Sequence, residues 1–256
     1  MVVHDLHPIT HPHILGSGNA MSDWLRWGVA NADRVLTVSA FVASEVRRVL
    51  GRPEKDVRHF HHAADYRARA SRPISLGLPL PYFLMVGSLA PNKRHADALD
   101  AFELLWGRGS QATLVILGRP GWLTDHVVAR IRTHPENGRR LRWLDDSGDE
   151  ELTAAYRDAH ALIAASEIEG FGLPVVEALV RGVPVIASDI PVFREVAGDW
   201  AEYFEMGNPH SLADKVEKAA CRPRRDVGSF KWHNWDDAAR RVFALSMDLD
   251  ALNSAS

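Results

Sequence analysis

From Tyr82 onward, short apolar runs and helical patterns take turns along the chain, and that alternation leaves few folds open. Tyr82–Val86, Thr113–Leu117, Leu141–Leu144, residues 162–164 and residues 183–187 are nearly continuous in apolar residues, as expected of strands covered on both faces. Between them, residues 96–106 repeat apolar side chains at Ala98, Phe102 and Leu105. Residues 124–133 open on a threonine suited to capping, and residues 149–158 begin with three acids, which favour a helix N-terminus. Such alternation predicts an α/β fold with a doubly wound parallel sheet. A stretch of roughly 150 residues is long enough to bury its own core.

The first 65 residues carry fewer of these units. Val2-Val3 would end a strand, residues 20–30 are a helix candidate carrying Trp24 and Trp27, and residues 34–38, 41–50 and 57–60 read as strand, helix and strand. That is half of a second Rossmann-type sheet. The expected organisation is therefore a partial domain over 1–65, a linker over 66–80 rich in Arg, Ser and Pro, a complete domain over 81–230, and a C-terminal helical segment over 231–256. In that last segment, residues 236–247 should form a helix whose face is Ala239, Val242, Phe243 and Ser246.

Composition excludes several function classes. A chain with 46% apolar and 25% charged residues is an ordinary globular one. A net charge of -3 and a pI near 6.5 give no overall pull toward nucleic acid or an anionic bilayer. Cys221 is the single cysteine, so no internal disulfide forms, which suits a reducing cytoplasm. No apolar run is long enough to span a membrane, and Met1-Val2-Val3-His4-Asp5 lacks the regions of a signal peptide. The expected location is cytoplasmic, with a peripheral position at the inner membrane face left open.

The chemistry concentrates in Ser166-Glu167-Ile168-Glu169-Gly170-Phe171-Gly172-Leu173-Pro174-Val175-Val176-Glu177-Ala178-Leu179. A short buried strand hands over through a glycine loop to a helix in which Pro174 loses nothing by lacking an N–H. Free backbone N–H groups and the positive end of the helix dipole gather at such a point, so a diphosphate is stabilised there with no metal or other cofactor required. Gly170 and Gly172 carry no side chain that would hold a sugar ring off the backbone. The plainer alternative is that Glu177, in the first helical turn, serves only the dipole and that the glycines shape a turn. A second loop, Gly87-Ser88-Leu89-Ala90-Pro91-Asn92-Lys93-Arg94, follows the strand Tyr82–Val86 and brings cations, although a loop lysine is commonly just solvated. His4, His7, His11 and His13 crowd one segment, but no cysteine lies near and prolines interrupt it, so no metal site is expected.

Together with Gly182-Val183-Pro184-Val185-Ile186-Ala187-Ser188-Asp189, Arg194-Glu195-Val196 and Gly198-Asp199, the glycine-loop segment closely resembles the donor-site signature of the family 4 (group 1) retaining glycosyltransferases. Their architecture of two Rossmann-type domains is called GT-B. The resemblance extends over roughly residues 80 to 245, and Val3-His4-Asp5-Leu6, residues 32–39 and Ala63-Ala64-Asp65 look like the closing third of the family's acceptor domain. It implies that the earlier units of that domain are absent and that the chain is a GT-B-like protein with a truncated N-terminal domain.

The resemblance also assigns roles. Lys93 aligns with the phosphate lysine, helped by Ser88 and by Arg94 or Arg119, while Asn92 stands where a basic residue is common. Glu177 would hold both ribose hydroxyls, Glu169 a hydroxyl of the donor sugar, and the amides of Gly170, Phe171, Gly172 and Leu173 would surround sugar and phosphate. His4 would face the sugar. The implied reaction moves a hexose-type unit from a nucleotide diphosphate sugar to a carbohydrate or lipid-linked acceptor, with the leaving phosphate helping to take the acceptor proton. Two alternatives stay open: a nucleotide-sugar-binding remnant or subunit that needs a partner chain or self-associates, and a hydrolase using Glu169 and Glu177 as acid and base, which would need opposed carboxyls across a bond.

Overall fold

The computed structural model of the chain describes residues 1–15, 19–64 and 74–247, so residues 66–73 of the expected linker and Asp65 lie outside the described residues. The chain divides into two compact units, the first built from residues 1–65, 169–173 and 232–256 and the second from residues 66–168 and 174–231.

In the first unit β1 (Val2–Val3), β2 (Val35–Thr37) and β3 (Val57–His59) form a parallel sheet in that order, with Val2 beside Leu36 and Val35 beside Val57. The proline-interrupted segment around the N-terminal histidines contains two short helices, α1 (His7–Thr10) and α2 (Pro12–Leu15), each placing a proline in its first turn, where a missing N–H costs nothing. Helix α3 (Asn19–Asn31) follows, and α4 (Ala40–Leu50) starts on Ser39, whose side chain accepts from the Val42 N–H at 3.1 Å, and stops at Gly51, which takes a φ of 66°. The core gathers Val3, Leu6, Leu25, Val29, Val35, Val42, Val46 and Val57. Met21, Trp24 and Trp27 of α3 stay exposed.

The second unit alternates strand and helix: β4 (Tyr82–Val86), α5 (His95–Gly107), β5 (Thr113–Leu117), α6 (Asp125–Thr133), β6 (Leu141–Leu144), α7 (Asp149–Asp158), β7 (Ala161–Ala164), α8 (Leu173–Val180), β8 (Val185–Ser188), α9 (Pro191–Ala197), β9 (Ala201–Phe204) and α10 (Pro209–Ala220). Its six strands are parallel in the order β6-β5-β4-β7-β8-β9. Phe83, Leu84, Leu114, Val115, Ile116 and Leu162 of the inner strands are wholly buried, as continuous apolar runs require. Thr124 does not cap α6; its hydroxyl is buried and donates to the carbonyl of Leu89 at 3.3 Å, tying two loops together instead.

The last helix, α11 (Trp235–Ser246), returns to the first unit. Asn234 caps it, and the Arg34 guanidinium donates to the carbonyl of Leu245 at 2.7 Å. Its buried residues are Ala238 and Leu245, whereas Ala239, Phe243 and Ser246 of the expected face are exposed. Both faces have helical spacing, and tertiary packing, not periodicity, selects between them. Among the described residues no helix is long and apolar enough to cross a membrane.

Candidate functional site

Strand order in the second unit reverses between β4 and β7, since β5 and β6 add on one side and β8 and β9 on the other. In such sheets the crevice beyond the carboxyl ends of the two central strands is the usual ligand position. Both loops singled out in the sequence leave from those two ends, the lysine loop from β4 and the glycine loop from β7.

The lysine loop is built on close backbone approach. A Cβ at Gly118 would fall on the Gly87 carbonyl and one at Gly121 on the Leu89 carbonyl, so those glycines let the loops after β4 and β5 touch. The loop then closes in a 3-10 turn over Pro91–Lys93. Asn92, where a basic residue is common in the resembled family, is buried and stitches this turn to the next loop: its side-chain amide donates to the Ile168 carbonyl at 3.3 Å, and its own carbonyl accepts from the Glu167 N–H at 2.9 Å. Lysine presentation and glycine-loop entry are thereby one hydrogen-bonded object. Ser88 is exposed at the start of the loop. Arg94 adopts a left-handed φ of 53° and its guanidinium meets Asp97 at 2.9 Å and Glu167 at 3.5 Å, so its charge is partly compensated. Arg119 lies 3.6 Å from Asp146 at the surface.

Directly after Arg94, His95 opens α5 and is buried, with no hydrogen-bond partner on Nδ1 among the described residues. Burial, reinforced by the charge of Lys93, pushes its pKa down to about 4. The imidazole beside the lysine is therefore neutral at physiological pH.

Glu177 sits in the second turn of α8, not the first, so the simple dipole explanation for a glutamate there loses its footing. What orients it is Tyr156 of α7, a fully buried side chain whose phenol donates to Glu177 Oε2 at 3.1 Å. Burial first, then the adjacent Glu177 carboxylate, raises the Tyr156 pKa well above its ordinary value, so the group stays a donor. The Arg181 guanidinium lies over the Tyr156 ring at 4.7 Å and donates to the Glu177 carbonyl at 3.1 Å. Sequence reasoning missed Tyr156 because a tyrosine on the apolar stripe of a helix looks like core; only its hydroxyl, which needs a buried partner, hinted otherwise.

The glycine loop, residues 169–173, packs with the first unit. Gly170 has a job the sequence did not reveal. A Cβ there would land on the His4 carbonyl oxygen, so its missing side chain admits the β1 loop and not primarily a ligand. On its other side the Gly170 carbonyl accepts from the Ser39 hydroxyl at 2.7 Å, and the same hydroxyl caps α4. Gly172 adopts a φ of 91°, a backbone that favours glycine. The Phe171 ring is buried among His61 at 5.8 Å, His62 at 5.3 Å and Trp232 at 6.1 Å, which leaves its backbone, not its ring, to meet a ligand. The Trp232 indole N–H donates to the His62 carbonyl at 2.8 Å, and His233 Nε2 donates to the His61 carbonyl at 2.9 Å.

Glu169 is half-buried and Leu173 is the first residue of α8. His4 is exposed at the end of β1, followed by Asp5, whose carboxylate accepts from the His7 N–H at 3.0 Å. Among the described residues no group of three or more His, Cys, Asp or Glu side chains is assembled as a metal site. His11 and His13 lie with ring centroids 5.8 Å apart.

Residues 68–227 match the family described as Glycosyl transferases group 1. The chain is 36% identical to the Serotype-specific mannosyltransferase WbdA of Escherichia coli, over 93% of this chain and 32% of that protein. It is 30% identical to the O-antigen chain mannosyltransferase B of Escherichia coli, over 90% of this chain and 66% of that protein. The chain thus spans about a third of the length of the WbdA relatives it matches. Among solved structures it resembles a sucrose-phosphate synthase from Thermosynechococcus elongatus, with a TM-score of 0.72 at 20% identity over 98% of this chain and 67% of that one. It also resembles Anabaena HepE in complex with UDP and glucose, with a TM-score of 0.71 at 17% identity over 99% of this chain and 71% of that one. These likenesses show the fold, two Rossmann-type units of the GT-B kind. The family match and the fold agree: this chain belongs to the group 1 glycosyl transferases.

Proposed function

We propose that the chain is the donor-binding part of a retaining glycosyltransferase, moving a hexose-type sugar from a nucleotide diphosphate donor to a carbohydrate or lipid-linked acceptor. Mannose is the first sugar to test, because the relatives WbdA and O-antigen chain mannosyltransferase B carry it in their names. The observation that carries the reading is the stitch made by Asn92, which ties the Lys93 turn to the strand end leading into the glycine loop at the reversal point of the sheet.

In this reading the ammonium of Lys93 and the amides at the start of α8 bind the diphosphate, whose charge grows as the bond to the sugar breaks. Groups fixed in advance around developing charge lower a barrier most. Ser88 and Arg94 lie in the same loop as further donors. Glu177, oriented by Tyr156, takes the two ribose hydroxyls through charge-assisted hydrogen bonds, which are stronger than neutral ones. Glu169 takes a sugar hydroxyl, and His4 faces the sugar. The acceptor attacks from the face the diphosphate leaves, its proton passing to the departing phosphate, so neither glutamate acts as nucleophile. No metal or other cofactor takes part. The protein works at the cytoplasmic side of the membrane and does not act on nucleic acid.

A second reading, a nucleotide-sugar-binding subunit that works only with a partner chain or a second copy, is favoured by the exposed Met21, Trp24 and Trp27 of α3. Calorimetry with GDP, UDP and ADP, with and without EDTA, tests the common core of both. At least one nucleotide should bind with the same affinity in both conditions, and binding that vanishes with EDTA would overturn the metal-free site.

A further inference from the structure

Within the first unit, His62 Nε2 lies 3.4 Å from His4 Nδ1, and the two rings stack with centroids 5.3 Å apart and planes 21° from parallel. We propose that His62 is the positioning residue for His4: it fixes the ring's orientation and tautomer through this nitrogen–nitrogen contact, and the pair holds one proton between them. The proposal rests on the assignment of His4 to the sugar-facing site.

His62 is suited to the task because it is itself immobilised from several sides. Its ring meets the edge of Phe171 at 5.3 Å and of Phe60 at 5.7 Å, and its carbonyl is held by the Trp232 indole. Trp235 adds a tilted ring at 6.1 Å. His4, in contrast, is exposed and gains its order from β1, from the Gly170 approach and from this neighbour. Two imidazoles in contact have only two good neutral arrangements, in which one N–H points at the other ring's lone pair. Whichever nitrogen of His4 faces His62, the opposite nitrogen is then defined for a substrate.

A second proton is resisted for two reasons. Half-burial lowers the pKa of His62, and the charge of a protonated His4 lowers it further. Among the described residues, titratable side chains set next to the pair in the chain or in the ring stack include Asp5, which faces His7, and His61, which stacks on His233. His62 is therefore held in its neutral form beside His4.

The test uses the full chain with isotope-labelled histidine, following imidazole nitrogen shifts from about pH 5 to about pH 8. In the wild type His4 should show one dominant tautomer, and in His62→Phe, which keeps a ring against Phe171, the two tautomers should mix. In His4→Phe the midpoint of His62 should rise. A His4 spectrum indifferent to His62→Phe, or a His62 midpoint indifferent to His4→Phe, overturns the pairing. If His62→Phe does not fold, His62→Leu gives the same readout on His4, again with no polar group facing its Nδ1. In transfer assays His62→Phe should lower kcat roughly tenfold or more with little change in donor KM, and should shift the acid limb of the pH profile. Altered spectra together with transfer insensitive to His4→Ala would keep the pairing and sink the sugar-site assignment of His4; unaltered spectra would sink the pairing whatever the transfer rate.

Discussion

The six-stranded and the three-stranded units hold their candidate site residues in different ways. In the larger unit, buried polar side chains are the anchors: Asn92 in the turn after β4 clamps the lysine loop and Tyr156 on α7 clamps Glu177. In the smaller unit the Ser39 hydroxyl and the His4 backbone hold Gly170, and the tilted and edge-on rings of His61, His62 and Trp232 enclose Phe171. The smaller unit also leaves Trp24, Trp27, Trp235 and Phe243 exposed. In both units a buried polar side chain is tolerated where the fold supplies its partner, as the Glu177 carboxylate does for the Tyr156 phenol and the Gly170 carbonyl for the Ser39 hydroxyl; the smaller unit adds aromatic enclosure to this.

Acid should separate the two units most sharply. The folded pKa of His95 is about 4, below the ordinary 6.5, so as pH falls the unfolded chain takes up the proton first. The stability of the larger unit is therefore full above about pH 6.5 and is lost progressively down to about pH 4, by on the order of 3 kcal/mol. Denaturant unfolding across that range should show this slope in the wild type and a shallower one in His95→Phe. The same slope in both would remove His95 as its source.

Next in size is Gly170→Ala, whose new Cβ collides with the His4 carbonyl. Relief requires backbone movement, which costs about 1–3 kcal/mol. Hydrogen exchange should report it as loss of protection in β1 and at the start of α4, with β4 to β8 unaffected; uniform loss would mean the loop belongs equally to both units.

A smaller effect is expected from Tyr156→Phe. It removes one hydrogen bond to Glu177 and leaves the packing, so nucleoside diphosphate affinity should fall by about 0.5–1.5 kcal/mol, roughly two- to tenfold. Calorimetry that shows no change would mean Glu177 needs no orientation by the phenol.

How far the sequence foretold these arrangements depends on the kind of interaction. Tyr82–Val86, Thr113–Leu117 and Leu141–Leu144 could be delimited to the residue because strands buried on both faces are written as unbroken apolar runs. The elements β9 and α10 were not foreseen: β9 is a short edge strand with Glu202 and Tyr203 half-exposed, too mixed to show a run. Glu169 and Lys93 could be placed on the loops after β7 and β4 because each follows an apolar strand, whereas Glu177 falls a turn deeper into α8 than expected. Their supports were not, since Tyr156, Ser39 and His62 lie far from them in sequence and act through single atoms that no periodicity encodes. Gly170 was expected to make room for a sugar ring, and what its missing side chain admits in the fold is the His4 carbonyl.

The central claim, that the two glutamates divide donor recognition between ribose and sugar, is tested most directly by calorimetry on Glu177→Ala and Glu169→Ala. Glu177→Ala should weaken nucleoside diphosphate binding by about 1.5–3 kcal/mol, ten- to a hundredfold. Glu169→Ala should leave that affinity nearly intact while weakening the intact nucleotide sugar and any transfer. Equal, small effects of both substitutions on every ligand would contradict the account and return both residues to a structural role.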